Sequence, residues 1–139
     1  MKTIIAVIDT NVLVSGLISN NPFSPTVGVL KCIVNKTIVP LFCDEILKEY
    51  DDVLHRKKFN LPENEIDAVL EEIVAVGISS SRIASNEHFP DPKDVVFYEV
   101  ALSKDNSFLI TGNIKHFPKV DFVVTPSEMM KIIEESNVQ

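Results

Sequence analysis

The chain begins with apolar residues that follow one another without polar interruption. Residues 3–8 are continuous rather than alternating, which is typical of a strand with both faces buried in a parallel sheet. Later stretches predict the remaining strands, at residues 37–42, 78–84, 107–111 and 122–125. The first run ends at a carboxylate, Asp9, and a second apolar segment follows at once. The pattern therefore predicts an acidic side chain at the carboxyl end of a buried strand.

Between the strands, apolar residues recur at intervals of three and four, which predicts amphipathic helices. The helices are expected at residues 12–18, 26–34, 43–59, 62–77, 94–103 and from 126 onward. Val74 is expected on the buried stripe of the fourth helix, and Thr10 or Asn11 is expected to cap the first. The basic stretch HRKK, residues 55–58, is expected in the last turns of the third helix, where cations favour the helix dipole.

Strands that alternate with helices predict an α/β fold, with helices on both faces of a parallel sheet. No repeat, linker or low-complexity segment interrupts residues 1–139, so a single domain is expected. The formal net charge of −7 argues against a protein that coats nucleic acid through a general basic excess. It leaves open a nuclease, whose site can be acidic because it holds metal.

Cysteine usage and apolar run lengths indicate the compartment. Cys32 and Cys43 lie in apolar surroundings without Cys-x-x-Cys spacing, as expected for reduced core thiols. The sequence contains no apolar run of about 18 residues that could span a membrane, and its N-terminus does not resemble a secretory signal. A cytoplasmic protein without membrane contact is therefore expected.

Acidic and amide side chains fall at one predicted edge of the sheet. Asp9 and Asn113 follow strands, Asp91 and Asp94 lie at the start of a helix, and Glu49 lies within an apolar helix stripe. Ligands of an open α/β sheet bind beyond the carboxyl ends of its strands. Each acid also has a purely structural interpretation, as a helix cap, a partner of a helix dipole or a solvated helix acid. Their convergence from distant parts of the sequence favours a shared site.

Carboxylates that converge in this way need a counter-ion. Two unit charges about 4 Å apart repel by roughly 4 kcal/mol at an effective dielectric constant near 20. A divalent cation removes this cost, and an all-oxygen ligand set favours Mg²⁺ or Mn²⁺ over zinc. Such an ion can bind a phosphate oxygen and activate a water, so hydrolysis of a phosphodiester is the expected chemistry.

Five segments together resemble the PIN domain family, in particular its small members regarded as toxins of bacterial and archaeal toxin–antitoxin pairs. VIDTNVLVSGL is similar to the first motif of the family, and CDEILKEYDDVLHRKKF is similar to the second. DPKDVVFYEVAL resembles the third motif, SFLITGNIKHF the fourth, and VVTPSEMM the closing strand and helix. The resemblance covers nearly the whole chain and implies a three-layer α/β/α fold around a mainly parallel sheet of about five strands.

The resemblance also implies roles for individual residues. Asp9, Glu49 and Asp94 match the metal ligands, and Asp91 matches an extra acid one turn before Asp94. Asn113 departs from the family pattern, because many relatives have Asp there, and an amide cannot supply the negative charge of a second metal site. The polar residues expected to hydrogen-bond the carboxylates or water are Thr10, Asn11 and Thr111.

The implied activity is Mg²⁺- or Mn²⁺-dependent cleavage of single-stranded RNA, with Asp9, Glu49, Asp94 and Asn113 as catalytic residues. Cations would guide the RNA backbone to an acidic protein, and the candidates are His55, Arg56, Lys57, Lys58, Lys93, Lys115 and His116. His88 and His116 lack the spacing of a metal motif and are expected to be loop residues. The resemblance further implies an antitoxin partner and a homodimer.

Three alternatives compete with this hypothesis. A phosphoryl-transfer enzyme of the haloacid-dehalogenase type needs Asp where Asn11 stands, and a dinucleotide-binding protein needs a Gly-rich turn after the first strand. The stronger alternative is a PIN fold that Asn113 has weakened catalytically and that serves as a nucleic-acid-binding or regulatory module.

Overall fold

The computed structural model describes residues 3–137. Within that range five strands form one sheet in which every pair is parallel, in the order β3-β2-β1-β4-β5. The strands are β1 (Ile4–Ile8), β2 (Ile38–Phe42), β3 (Ile78–Ser79), β4 (Phe108–Ile110) and β5 (Val123–Val124). The helices of this range are α1 (Thr10–Ile18), α2 (Pro25–Val34), α3 (Asp44–Leu54), α4 (Glu63–Val76), α5 (Val95–Leu102) and α6 (Pro126–Asn137). They complete the predicted three-layer α/β/α fold, which is confirmed.

The strand order reverses at β1, which lies at the centre of the sheet. The chain leaves β1 towards β2 and β3 on one side and later returns to β4 and β5 on the other. Ala6, Val7 and Ile8 are fully buried, which explains the continuous apolar run at the start of the sequence. A reversal of this kind opens a crevice beyond the carboxyl ends of the two central strands, and ligands of α/β sheets bind there.

The predicted end of the third helix is wrong. Helix α3 stops at Leu54, and residues Lys57–Phe59 form a separate 3₁₀ turn. His55 caps the helix end instead of continuing it, and its ring contacts the Asp51 carbonyl oxygen and the Glu63 carboxylate. The basic stretch therefore follows the helix rather than occupying its last turns.

Other local predictions are corrected by packing. Val74 is 52% exposed rather than buried, because α4 turns only Ile66 and Ile73 fully inward. Strand β3 is two residues long. Beyond Ser80 the chain does not continue the strand, and Arg82 and Ser85 donate hydrogen bonds to the Glu99 carboxylate on α5. The phenylalanine of the first long loop, Phe23, is 90% exposed.

The expected caps of α1 are also wrong, because Thr10 and Asn11 are its first helical residues and Asp9 occupies the cap position. Both cysteines are free thiols, as expected. No helix in the described part of the chain has the length and apolar character needed to cross a bilayer.

Candidate functional site

The register of the two central strands brings Asp9 and Thr111 together. Ile8 pairs with Ile110, so the residues that follow them lie side by side just beyond the sheet. The Thr111 hydroxyl donates a hydrogen bond of 2.7 Å to Asp9 Oδ2 and accepts one of 3.0 Å from the Asn113 N–H. Asp9 makes no capping hydrogen bond to α1. Its buried carboxylate is therefore oriented by the neighbouring strand, which the helix-cap interpretation does not explain.

Asp94 and His116 form the second part of the site. Asp94 lies at the end of a 3₁₀ turn, Pro92–Asp94, directly before α5, and its side chain is 15% exposed. His116 ends another such turn, Ile114–His116, and its Nδ1 lies 3.3 Å from Asp94 Oδ2. Among the described residues this buried oxygen has no hydrogen-bond partner. The turns before α5 and after β4 thus place a carboxylate and an imidazole against each other.

Burial and the charges of neighbouring carboxylates raise the pKa values of Asp9 and Asp94. Burial raises the pKa of Asp94 to about 6, with further upward contributions from the charges of Asp9 and Asp91 and a downward one from His116. Burial also raises the pKa of Asp9, an effect that the Thr111 hydrogen bond opposes and the charge of Glu49 reinforces. Acids whose pKa values are raised by burial and by neighbouring negative charge in a crevice are a physical mark of a functional site.

Helix α3 is fixed to the site by Tyr50. The buried Tyr50 hydroxyl donates a hydrogen bond to the carbonyl oxygen of Ile8, the residue before Asp9. Burial, followed by the charge of Asp9, holds the pKa of Tyr50 well above its usual value, so this hydroxyl stays a donor. The neighbouring Glu49 is half-buried and close enough to Asp9 to act on its pKa.

The remaining candidate residues are less directly engaged. Asn113 contributes its backbone N–H to Thr111, and Asp91 accepts a hydrogen bond of 3.0 Å from the Lys93 N–H. The hydroxyl of Thr10 is buried without a partner among the described residues, and Asn11 is exposed. Of the three polar residues expected to hydrogen-bond the carboxylates through their side chains, Thr111 does so.

The predicted RNA-binding cations are all exposed: Arg56, Lys57, Lys58, Lys93 and Lys115. Lys93 and Lys115 belong to the same short turns as Asp94 and His116, respectively. The other three follow the end of α3, where Lys58 Nζ lies 5.1 Å from the centre of the Phe59 ring.

Sequence reasoning missed two contributors. His116 is predicted as a loop residue and as a cation near the site, but not as a partner of a carboxylate, and it contacts Asp94. Tyr50 lies on the apolar stripe of α3 and is buried as that spacing predicts, but nothing in the spacing indicates a hydrogen bond to β1.

Comparison with known proteins agrees with this geometry. A sequence model described as PIN domain matches residues 5–115. The chain belongs to the PIN domain family. PIN domains are generally nucleases and generally use divalent metal ions. The chain has no match among curated proteins or solved structures.

Two carboxylates of this PIN domain could hold the divalent metal that the family generally uses. Within residues 3–137 no group of three or more His, Cys, Asp or Glu side chains is arranged to hold an ion. Mg²⁺ usually keeps several waters and binds proteins through one or two carboxylates. Asp9 and Asp94, with the unpartnered Oδ2 atom of Asp94, fit such a hydrated ion, and Glu49 adds negative charge nearby.

The Thr111 hydrogen bond gives a first prediction. Thr111→Val removes the donor to Asp9 but keeps the shape of the side chain, so Asp9 is held less firmly for a cation. We expect the affinity for Mn²⁺ to fall about 10-fold or more, as for other residues that orient metal ligands. Thermal unfolding at a series of Mn²⁺ concentrations measures this. Thr111→Ser keeps the hydroxyl and is the matched control; equal affinities for the two variants would contradict the role of the hydrogen bond.

Proposed function

We propose that this PIN domain is a metal-dependent endoribonuclease that hydrolyses phosphodiester bonds of single-stranded RNA. The proposal rests on the buried carboxylate of Asp9 and the partly buried carboxylate of Asp94, whose pKa the charge of Asp9 raises, beyond the carboxyl end of the central strand. Two such groups repel each other without a cation and become a favourable site with one. The bound cation would be Mg²⁺ or Mn²⁺.

The chain would contribute ligands, orientation and charge. Asp9 and Asp94 would hold the cation, and Thr111 and the Tyr50–Ile8 hydrogen bond would keep the surrounding backbone in place. The cation supplies positive charge that binds a phosphate oxygen and lowers the pKa of water. Glu49 is a candidate to accept a proton from the attacking water, since it lies close to Asp9 and remains partly exposed.

Positive charge beside the site supports contact with a nucleic-acid backbone. An acidic chain can bind a polyanion where lysines concentrate beside the site, and Lys93 and Lys115 meet that need. Arg56, Lys57 and Lys58 would extend the contact along the backbone. An unpaired strand can enter a crevice that a stiff duplex cannot, so a single strand is expected. That this strand is RNA is what the resemblance to the PIN family implies.

A cleavage assay tests the proposal. End-labelled single-stranded RNA, the same sequence as DNA, and duplex RNA are each incubated with Mg²⁺, Mn²⁺ or EDTA. We expect cleavage of single-stranded RNA with either metal, none with EDTA, and loss of cleavage in Asp9→Asn. Cleavage that persists undiminished in EDTA, or in the Asp9→Asn variant, would reject the mechanism.

A second candidate is a regulatory or nucleic-acid-binding module with weakened chemistry. It is favoured by the neutral Asn113 and by the lack of a three-ligand cluster within residues 3–137. This candidate predicts RNA binding that is unaffected by EDTA and no cleavage. Binding by fluorescence anisotropy, run beside the cleavage assay, separates the two.

The toxin role and its partners stay predictions. A blocking antitoxin and a homodimer would each need an exposed surface, and Phe23 offers one exposed aromatic side chain. Phe117 is buried and packs against Phe89 with ring centres 6.1 Å apart, so it offers no such surface. Light scattering of the purified chain measures its oligomeric state directly.

A further inference from the structure

His55 joins the end of α3 to the start of α4. Its Nδ1 lies 2.7 Å from the carbonyl oxygen of Asp51 and 3.3 Å from Asp51 Oδ1, and its Nε2 lies 2.6 Å from Glu63 Oε2. A carbonyl oxygen and an ionised carboxylate only accept hydrogen bonds, so each ring nitrogen must carry a hydrogen to bond its partner. Only the charged imidazolium can therefore make both contacts at once.

The surroundings of His55 favour this charged form. The hydrogen bonds to the Asp51 carbonyl oxygen and to Glu63 raise the pKa of His55 above the usual value of a histidine, desolvation opposes them, and the charges of Glu63 and Asp51 add to the rise. These two carboxylates, one on each helix, are the charges that face the ring. His55 therefore keeps its proton to a higher pH than an ordinary histidine, and when the proton leaves, one of the two contacts is lost.

The two contacts close a loop that carries a cluster of positive charge. Three adjacent exposed cations, here called the basic turn, lie between His55 and Glu63: Arg56, Lys57 and Lys58. The Phe59 N–H bonds the Arg56 carbonyl oxygen at 3.1 Å, and the half-buried Phe59 ring packs against the core. The loop is thus held at its base by His55 and at its far side by Phe59.

We propose that His55, in its charged form, is a positioning residue for RNA, because by joining α3 to α4 it holds the basic turn ready to contact the phosphate backbone. The inference rests on the proposed function, since RNA is the ligand of that turn. A loop that is ordered before binding loses less conformational entropy when it binds, so the same cations give a higher affinity. The basic turn would bind the strand away from the scissile phosphate, so the effect is expected on KM and not on kcat.

Glu63→Ala tests the contact, and Glu65→Ala is the matched control. Both acids are exposed and lie in the first turn of α4, so each substitution removes one negative charge from the same place in the fold. Charge alone predicts that both variants bind an anionic strand more tightly. Loss of the partner of Nε2 predicts the opposite for Glu63→Ala. We expect its KM for a fluorescent single-stranded RNA to rise about threefold or more with kcat unchanged, and the KM of Glu65→Ala to stay equal or fall.

Two further measurements separate positioning from a general loss of stability. The difference in KM between wild type and Glu63→Ala should be largest below the raised pKa of His55 and shrink above it, because the neutral ring cannot donate to both partners. Trypsin cuts after Arg and Lys in mobile chain, so at one fixed pH it should cleave the basic turn faster in Glu63→Ala than in Glu65→Ala.

The outcomes distinguish this inference from the function on which it rests. Equal KM values or equal rates of tryptic cleavage in the two variants would overturn the positioning role of His55 and leave the proposed nuclease intact. A difference in KM that does not change with pH would do the same. If the wild type cleaves no single-stranded RNA with Mg²⁺ or Mn²⁺, the proposed function fails and this inference fails with it.

Discussion

Replacing Asp94 with Asn is expected to lower RNA cleavage by about 10²–10³-fold while making the metal-free protein more stable. The amide keeps the shape of the side chain but removes one of the two charges that would hold the cation, which is worth several kcal/mol in the transition state. The same charge is costly without metal, because it is buried and repelled by Asp9 and Asp91. Loss of activity together with a gain in stability separates this residue from an ordinary structural acid.

The gain in stability has a defined pH dependence. The pKa of Asp94 rises from its usual 3.8 to about 6 on folding, so the folded state binds more protons than the unfolded state in that interval. Wild-type stability in EDTA should therefore fall as the pH rises from 3.8 to about 6. Asp94→Asn should lack this decline and be about 1–2 kcal/mol more stable above the interval, allowing for solvent screening. Urea unfolding across the pH range measures both curves.

Asp91→Asn is the matched control. Asp91 is exposed, and its Oδ1 accepts the Lys93 N–H, a bond that an Asn side chain can also accept. We expect a small rise in stability, since one repulsive charge is removed, and activity within a few-fold of wild type. A wild-type stability that stays flat or increases over the interval would contradict the proposed burial and repulsion of Asp94.

Glu99→Ala is expected to produce the largest loss of stability among the polar positions, about 2–3 kcal/mol. Glu99 lies on α5 with a 10% exposed side chain. It accepts hydrogen bonds of 2.8 Å from Arg82 Nε and from the Ser85 N–H, which fasten the segment between β3 and α5. Its removal leaves Arg82 Nε and the Ser85 N–H without their acceptor, although Arg82 keeps its contact with Glu45. Urea unfolding and limited proteolysis of the segment measure the effect.

Glu45→Ala is the matched control, because Glu45 pairs with the same Arg82 at 2.8 Å but is 61% exposed. A surface ion pair contributes about 0–1 kcal/mol, so this variant should be nearly as stable as wild type.

The effect of Glu99 on stability depends on pH. Burial raises the pKa of Glu99, but the hydrogen bonds from Ser85 and Arg82 outweigh burial and bring the pKa below its usual value. Glu99 therefore stabilises the folded state fully above the usual pKa of a glutamate, and this stabilisation is lost as the pH falls below that usual pKa. Equal losses in the two variants would contradict the importance of burial.

Most of the architecture could be predicted from the sequence, because each buried position requires an apolar residue. A strand covered on both faces must be apolar at every position, and a helix on its surface must repeat its apolar residues every three to four. These periods predicted the parallel sheet, its flanking helices and an acid directly after β1. Element ends were less accurate, as α3 shows, because a helix end depends on contacts such as that of His55 with Glu63.

The candidate site was predicted as a set of residues but not as an arrangement. The acids were recognised by their positions relative to strands and by resemblance to a family. Their pairing depends on the alignment of β1 with β4, which joins Asp9 to Thr111 across 102 positions of sequence. The spacing of apolar residues does not indicate which distant polar groups become buried side by side. For the same reason it does not indicate the contact of His116 with Asp94.

The sequence by itself determined the element types, the buried central strand and the presence of carboxylates at its end, because hydrophobic burial acts residue by residue along the chain. Only the tertiary structure decided which carboxylates are desolvated together, which hydroxyl orients Asp9, and that Arg82 and Glu99 fasten the segment before α5. The physical reason is that electrostatic energies depend on distance and burial in space, and these are fixed only when the strands are aligned and the helices are packed.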